Sequence, residues 1–500
     1  MLRAPVSSTS LSCCSRMRGR AAAMFASMAF ALFHNTRAHS SLSPGWTTHK
    51  FFNPDEDTLK PPASLARLNP PILNPAQEGS FARHTLLKRL PDTATRVLRD
   101  NEATLPQDAK DSLLSLSEEV PNVPLRTPDA VEGGATTDIK HFNQEWDRWT
   151  RERASGNWTT ALPLISTEMY YYRRILDATK YFLPKDARHL MDPFESQKKS
   201  SLASALASKA FLEAADKHLY ALEHGPLAQP NLQALFLTLV HASLWSNQGD
   251  LALAPSDVSN VQMATQICTS ASSKLLVDDT AAAFDLLLRR GAEAGAAKGV
   301  ERVDIINDNS GVELLCDLVL ADFLLAHHLA QAVRLHVKGE PLFVSDAMPK
   351  DVSSHLEALS LPPAPAPLQA LAQRLRQGIE QGRLQVQSHM FWTAPRLFWE
   401  MPLSLASELS QAALVVVKGD ANYRRLVGDR QWDWLTPLPE VIGDWFPSSA
   451  LVLRTFKAEI AVGLREGQAA AAAEADPEWL TNGKFASIQF VPKLEAQASN

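Results

Sequence analysis

Four short runs of apolar, mostly branched residues, Val303–Ile306, Leu342–Val344, Leu414–Val417 and Ala450–Leu453, constrain this chain more than any other feature. They are continuous rather than alternating, which fits strands covered on both faces in a mainly parallel sheet. Enough chain separates each from the next for a helical crossover. The expected fold class is therefore α/β, a three-layer α/β/α sandwich with a mainly parallel sheet over residues 229–500. Upstream, Phe81, Leu86, Leu87, Leu90, Val97 and Leu98 fit helices broken at Pro91, and Phe142–Trp149 and Leu162–Tyr181 carry helical spacing. With the Ala- and Leu-rich stretch 201–222 they predict a helical region over 79–228 that precedes the sandwich.

Residues 1–78 read differently. Pro61, Pro62, Pro70, Pro71 and Pro75 mark an extended linker. Before Asp55 there is no acidic residue, while Arg3, Arg16, Arg18, Arg20 and Arg37 lie among Ser and Ala. That composition fits a mitochondrial transit peptide over residues 1–45; a secretory segment around Ala21–Phe33 and a disordered extension are the alternatives. The apolar stretch is short for a membrane span, so no stable membrane insertion is expected. Cys13, Cys14, Cys268 and Cys316 lack the spacing of a zinc site or a disulfide framework, so an intracellular location is expected, cytoplasmic or, with a transit peptide, mitochondrial. A formal net charge of -6 without a basic run gives no footprint for nucleic acid.

In an open α/β sheet, ligands bind beyond the carboxyl ends of the strands. The expected strands lead into Asp308-Asn309-Ser310-Gly311, Ser345-Asp346, Lys418-Gly419-Asp420 and Arg454-Thr455-Phe456-Lys457. Asp308, the Asn309 carbonyl and Asp346 would make an oxygen-only site for Mg²⁺ or Mn²⁺. Lys418, Arg454 and Lys457 would face a phosphate, and Gly311 would let a helix N-terminus turn toward it. Each motif has a plainer reading. Asp, Asn and Gly after a strand commonly make a turn and a cap, Asp346 is placed to cap a helix, and Arg454 and Lys457 suit a solvated face or a pair with Glu459. Their shared place at strand ends favours the site. Other chemistries lack their motifs: there is no phosphate loop ending in Gly-Lys-Ser/Thr, no Gly-x-Gly-x-x-Gly after a strand and no Gly-x-Ser-x-Gly. Asp278-Asp279-Thr280 has no expected strand before it, and His327-His328 reads as structural.

Together Asp308-Asn309-Ser310-Gly311-x-Glu313, Phe343-Val344-Ser345-Asp346, Lys418-Gly419-Asp420-x-Asn422-Tyr423-Arg424 and Arg454-Thr455-x-Lys457 resemble the metal-dependent damage-control phosphatase family. The Arg-Thr-x-Lys element marks its third subfamily, also called acidic residue methyltransferase-like. The resemblance runs from about residue 80 to 490, through Ser80-Phe81-Ala82, Arg89-Leu90-Pro91, Glu168, Tyr172-Arg173-Arg174-Ile175, Leu244-Trp245-x-Asn247 and Phe391-Trp392-Thr393-x-Pro395. Asn307 stands where the family usually has a hydrophobic residue; its side chain is expected on the opposite face from Asp308.

The resemblance implies hydrolysis of sugar phosphates such as fructose 1-phosphate and fructose 6-phosphate, with Mn²⁺, Co²⁺ or Ni²⁺ and with Mg²⁺ also admissible. It implies Asp308, Asn309 and Asp346 as metal ligands. Asp308, Asn309, Glu313, Lys418, Gly419, Asp420, Asn422, Arg454 and Lys457 would contact substrate, with Asp308 or Asp420 as the base. The alternatives are an S-adenosylmethionine-dependent protein-glutamate carboxyl methyltransferase and a non-catalytic phosphometabolite-binding protein.

Overall fold

The sheet has seven strands: β1 (Leu275–Asp278), β2 (Val300–Ile306), β3 (Ala330–Val337), β4 (Leu384–Ser388), β5 (Leu414–Lys418), β6 (Ala450–Thr455) and β7 (Ala486–Val491). Their order in this computed structural model is β1-β7-β6-β5-β2-β3-β4. All pairs are parallel except β6 with β7. The structure describes Trp46, Lys50 and residues 55–128, 137–153, 156–183, 186–249, 274–293 and 299–493. The expectations for residues 1–45 and for Cys268 lie outside them. No helix among the described residues is long and apolar enough to cross a membrane.

The chain steps from β2 outward through β3 to β4, then returns to the other side of β2 for β5 and continues to β6. Right-handed crossovers must put the helices of these two series on opposite faces. They do. Val303, Ile305, Leu414, Val416, Leu451 and Leu453 share one apolar core with helices Lys209–Glu223, Gln229–Trp245, Thr280–Glu293, Val312–Ala326, Pro349–Ser360 and Ala366–Glu380. Ile306, Val415, Val417, Ala450 and Val452 share another with helices Leu90–Asp100, Gln107–Glu119, Leu164–Ala178, Leu403–Ser410 and Asp420–Leu426. The continuous runs of β5 and β6 have their cause here, since neighbouring residues feed different cores.

The result is the expected α/β/α sandwich, with one difference in how it is filled. The upstream helices do more than precede the sandwich, because Leu164–Ala178 and its neighbours form part of one outer layer. Every residue of Leu164–Ala178 is buried, as a helix enclosed on all sides requires. Part of the Pro-rich segment also docks: Leu73 is buried, and Arg430 donates to the Pro70 carbonyl at 2.7 Å.

Two strand expectations need correcting. Leu342–Val344 is a turn in which Phe343 has φ 48° and Val344 φ 69°, and the strand beside β2 is Ala330–Val337. Apolar residues there serve a tight reversal against the core rather than a ladder. Asp278-Asp279-Thr280 does follow a strand, β1, which pairs with β7. Asp278 is engaged by His241 Nε2 at 2.8 Å and by Thr280, as a cap for the next helix.

Helix Asp420–Leu426 is pinned from the outer layer. Arg425 donates to the carbonyls of Arg396 and Trp392 at 2.9 Å, of Phe391 at 2.8 Å and of Ala394 at 3.4 Å. Its guanidinium also lies over the Phe391 and Phe398 rings. Arg425→Met leaves these buried carbonyls without their donor; the expected loss is about 3 kcal/mol or more of folding stability, read from urea unfolding, and a change within error would contradict this role.

Candidate active site

Strands β2 and β5 are neighbours whose connections leave in opposite directions, so the topological switch point lies between them. Asp308 and Asn309 emerge from β2 there, and Gly419 and Asp420 emerge from β5. The third element arrives by a fold-back. After β3 the chain reverses through Phe343 and Val344, and Asp346 then pairs with Asn309 in an isolated antiparallel bridge. Ser310 N donates to Ser345 O at 2.7 Å, Ala347 N to Asp308 O at 2.8 Å, and Ser345 Oγ to Asn309 Oδ1 at 2.6 Å. The reversal thus does the work expected of a strand: it delivers Asp346 beside Asp308.

A narrow crevice of about 40 Å³ opens here. Asp308, Asn309, Asp346, Asp420 and Lys457 line it. Glu313, Lys418, Gly419, Asn422 and Arg454 stand behind these residues as support. Asn247 Nδ2 bridges Asp308 Oδ2 at 2.8 Å and Glu313 Oε2 at 2.7 Å, and Asn309 Nδ2 reaches the same two oxygens at 2.9 Å. Lys457 Nζ donates to Asn247 O and Oδ1, both at 2.8 Å. Asp420 accepts from Arg454 Nε at 2.7 Å and from Lys457 N at 3.2 Å.

Lys418 is turned away from the crevice: its ammonium pairs with Glu313 at 2.9 Å and with Asp317, and donates to Ser243 O. Burial alone would lower its pKa, but Asp317 and Glu313 outweigh burial and hold it above the ordinary lysine value. Burial raises the Asp317 carboxyl, against the pull of Lys418. Asn307 points to Asp317 Oδ2 at 2.8 Å, away from Asp308. Arg454 is fully buried, with Asp420 and the carbonyls of Ala458 and Ile460 as acceptors, so the solvated-face reading does not apply.

Sequence reasoning gave no role to several residues that matter here. Lys338 follows β3, is buried beside Asp346 at 3.4 Å, and approaches Asn422 Oδ1 at 3.3 Å. Burial pushes its pKa down, and the nearby Asp346 charge opposes that shift. Reading Ala330–Val337 as a strand would have found Lys338 as the charged residue at its end. Phe81, Arg89, Glu168, Phe343 and Arg424 complete the crevice wall. Three of them, Phe81, Arg89 and Glu168, come from the upstream helical region, and no local signal announces that they reach the strand ends. Among the described residues no group of three His, Cys, Asp or Glu side chains is arranged to hold a metal. The crevice floor instead offers two carboxylates, Asp308 and Asp346, with the Asn309 amide.

A doubly wound α/β/α protein with a charged small-ligand crevice at its switch point is the class that fold and site define. Residues 85–472 match the damage-control phosphatase ARMT1-like domain. The chain is 33% identical over 457 residues to damage-control phosphatase ARMT1 of Mus musculus, covering 84% of this chain and 98% of that protein. With its counterpart from Danio rerio it shares 32% identity over 448 residues, 85% of this chain and 97% of that protein. A solved DUF89 family protein from Pyrococcus horikoshii aligns with a TM-score of 0.38 and 14% identity over 76% of this chain and 96% of that one, too loosely to carry weight. The chain belongs to the ARMT1-like damage-control phosphatase family. Membership makes it a phosphatase of metabolite damage control with small-molecule substrates.

Gly419 connects this chemistry to the backbone. Its φ is 87°, and a Cβ there would collide with the Asp308 carboxylate. Gly419→Ala is expected to displace Asp308 and cut phosphate release at least about a hundredfold, since misplacement of about 1 Å has that effect. Steady-state assays check this; an alanine variant with near wild-type turnover would contradict the close approach.

Proposed function

We propose that this crevice hydrolyses phosphate monoesters of sugars, fructose 1-phosphate and fructose 6-phosphate among them, with a divalent metal held by Asp308, Asn309 and Asp346. The observation that carries the reading is the juxtaposition at one switch point of an oxygen donor set with the Lys457 cation on the same crevice. Two carboxylates and an amide oxygen are hard ligands, and they suit Mn²⁺, Co²⁺, Ni²⁺ or Mg²⁺ with positions left for water and phosphate. When bound, such an ion supplies Lewis acidity to a phosphoryl oxygen and acidifies water.

The chain's own residues do the rest. Lys457, whose ammonium is fixed on Asn247, offsets charge on the transferring phosphoryl group. Asp420, held by Arg454 and the Lys457 backbone N–H, faces the crevice as an acceptor for the proton of the attacking water, and Asp308 is the other candidate. Lys418 acts one step back, fixing Glu313, whose carboxylate orients Asn247 and Asn309. The methyltransferase reading draws no comparable support, because no Gly-x-Gly-x-x-Gly follows a strand to seat an adenosyl group.

Asp308→Ala is expected to lower Mn²⁺-dependent phosphate release from fructose 1-phosphate by about three orders of magnitude. The wild type should respond to Mn²⁺, Co²⁺, Ni²⁺ and Mg²⁺ to different extents. Retention of near wild-type rates in the variant, or equal wild-type rates after chelation, would overturn the reading.

A further inference from the structure

The crevice has a wall that the phosphoryl chemistry does not use. It consists of Phe81, Arg89, Glu168, Phe343 and Arg424. Arg89 closes a π-helical turn, Thr85–Arg89, set within otherwise α-helical sequence. Such turns are rare and concentrate at functional sites. Its guanidinium donates to Thr85 Oγ1 at 3.2 Å through Nη1 and lies over the Phe81 ring at 5.5 Å; no other described residue accepts a hydrogen bond from it. An arginine has five donors, so most of them are left for the crevice.

Glu168 comes from the enclosed helix Leu164–Ala178. Arg424 Nη1 donates to its Oε1 at 2.6 Å, and Arg424 is itself held by Asp429 at 2.7 and 3.1 Å. Among the described residues no donor reaches Glu168 Oε2. Burial pushes the pKa of this carboxyl up, while Arg424 and then Arg89 oppose the shift.

Phe343 is placed by strain. Two consecutive residues with side chains, Phe343 at φ 48° and Val344 at φ 69°, occupy the left-handed region, at a cost of about 1–3 kcal/mol each. The conformation sets the Phe343 ring against Tyr172, with centroids 5.1 Å apart, and into the crevice lining.

We propose that Arg89 and Glu168, between the Phe81 and Phe343 rings, form the subsite that recognises the hydroxyl-bearing end of a singly phosphorylated sugar. Glu168 Oε2 accepts from a substrate hydroxyl, Arg89 donates to a hydroxyl or ring oxygen, and the aromatic rings pack on the C–H face. Two cations, Arg89 and Arg424, meet two carboxylates, Glu168 and Asp429, so formal charges cancel at this wall. It has no surplus positive charge for a second phosphate, and the substrate class is therefore the monophosphate and not the bisphosphate. This inference rests on the phosphatase reading above.

The test compares kcat and KM for fructose 1-phosphate, fructose 1,6-bisphosphate and p-nitrophenyl phosphate, which has no hydroxyls to recognise. In Arg89→Met the kcat/KM ratio of fructose 1-phosphate to p-nitrophenyl phosphate should fall at least tenfold, mainly through KM, and Glu168→Gln should shift it in the same direction. If Glu168→Gln does not fold, Arg89→Met decides alone, because half-buried Arg89 gives up one side-chain hydrogen bond. The wild type should prefer the monophosphate to the bisphosphate at least tenfold. An unchanged ratio in Arg89→Met, or a bisphosphate turned over as well as the monophosphate, overturns the subsite while leaving the phosphatase reading intact. A wild type that releases phosphate from none of the three esters counts against the phosphatase reading and removes the subsite with it.

Discussion

Burying carboxylates at one end of a sheet is the constraint that the rest of this structure answers. Asp308, Glu313, Asp317, Asp346 and Asp420 are all withdrawn from water, and an unpaired buried charge costs several kcal/mol. The chain meets that cost with Lys338 beside Asp346, Lys418 between Glu313 and Asp317, Arg454 on Asp420, and Asn247 bridging Asp308 and Glu313. Few of these groups serve one partner only. Lys457 fixes Asn247, and Thr455 Oγ1 donates to the same Asn247 oxygen at 2.7 Å, so the β6 end and the β2 end share a strut. A network of this kind is rigid because removing any member strands another charge.

The upstream helices belong to this arrangement for the same reason. Helix Leu164–Ala178 brings Glu168 to Arg424, and Ile165 N donates to Asp429 Oδ2 at 2.7 Å, so the outer layer and helix Asp420–Leu426 are tied by ions and hydrogen bonds as well as apolar packing. Its Tyr172 backs the Phe343 ring. A sheet with only its strand-end loops would leave the crevice open on one side. With the helical layer in place, the crevice has a floor of donor oxygens and a wall of aromatic and paired charged groups.

Much of this is legible in the sequence where local chemistry dominates. The runs of β2, β5 and β6 read as strands because both faces are buried, and Asp308, Lys418 and Asp420 stand out as the polar residues at the ends of those runs. Strand β3 is not legible, since Gln331, Arg334 and His336 break its apolar run, and the better-looking Leu342–Val344 is a strained turn. Missing β3 hides Lys338. Strands β4 and β7, with Gln at 385, 387 and 489, give no continuous apolar run either and are not legible as strands. The direction of Lys418 is hidden as well, because a residue's place at a strand end does not say which way its side chain turns; Asp317, one turn beyond Glu313, decides that. Arg89 and Glu168 lie far upstream, and only the packing of the helical layer brings them to the crevice.

Diffraction from crystals soaked in Mn²⁺, with data collected at the manganese absorption edge, tests the central claim most directly. The expected result is an anomalous peak within about 2.0–2.4 Å of carboxylate oxygens of both Asp308 and Asp346 and of the Asn309 amide oxygen. A peak elsewhere with this corner empty at saturating Mn²⁺, or a corner that binds the ion through Asp420 and Glu168 instead, would contradict the assignment.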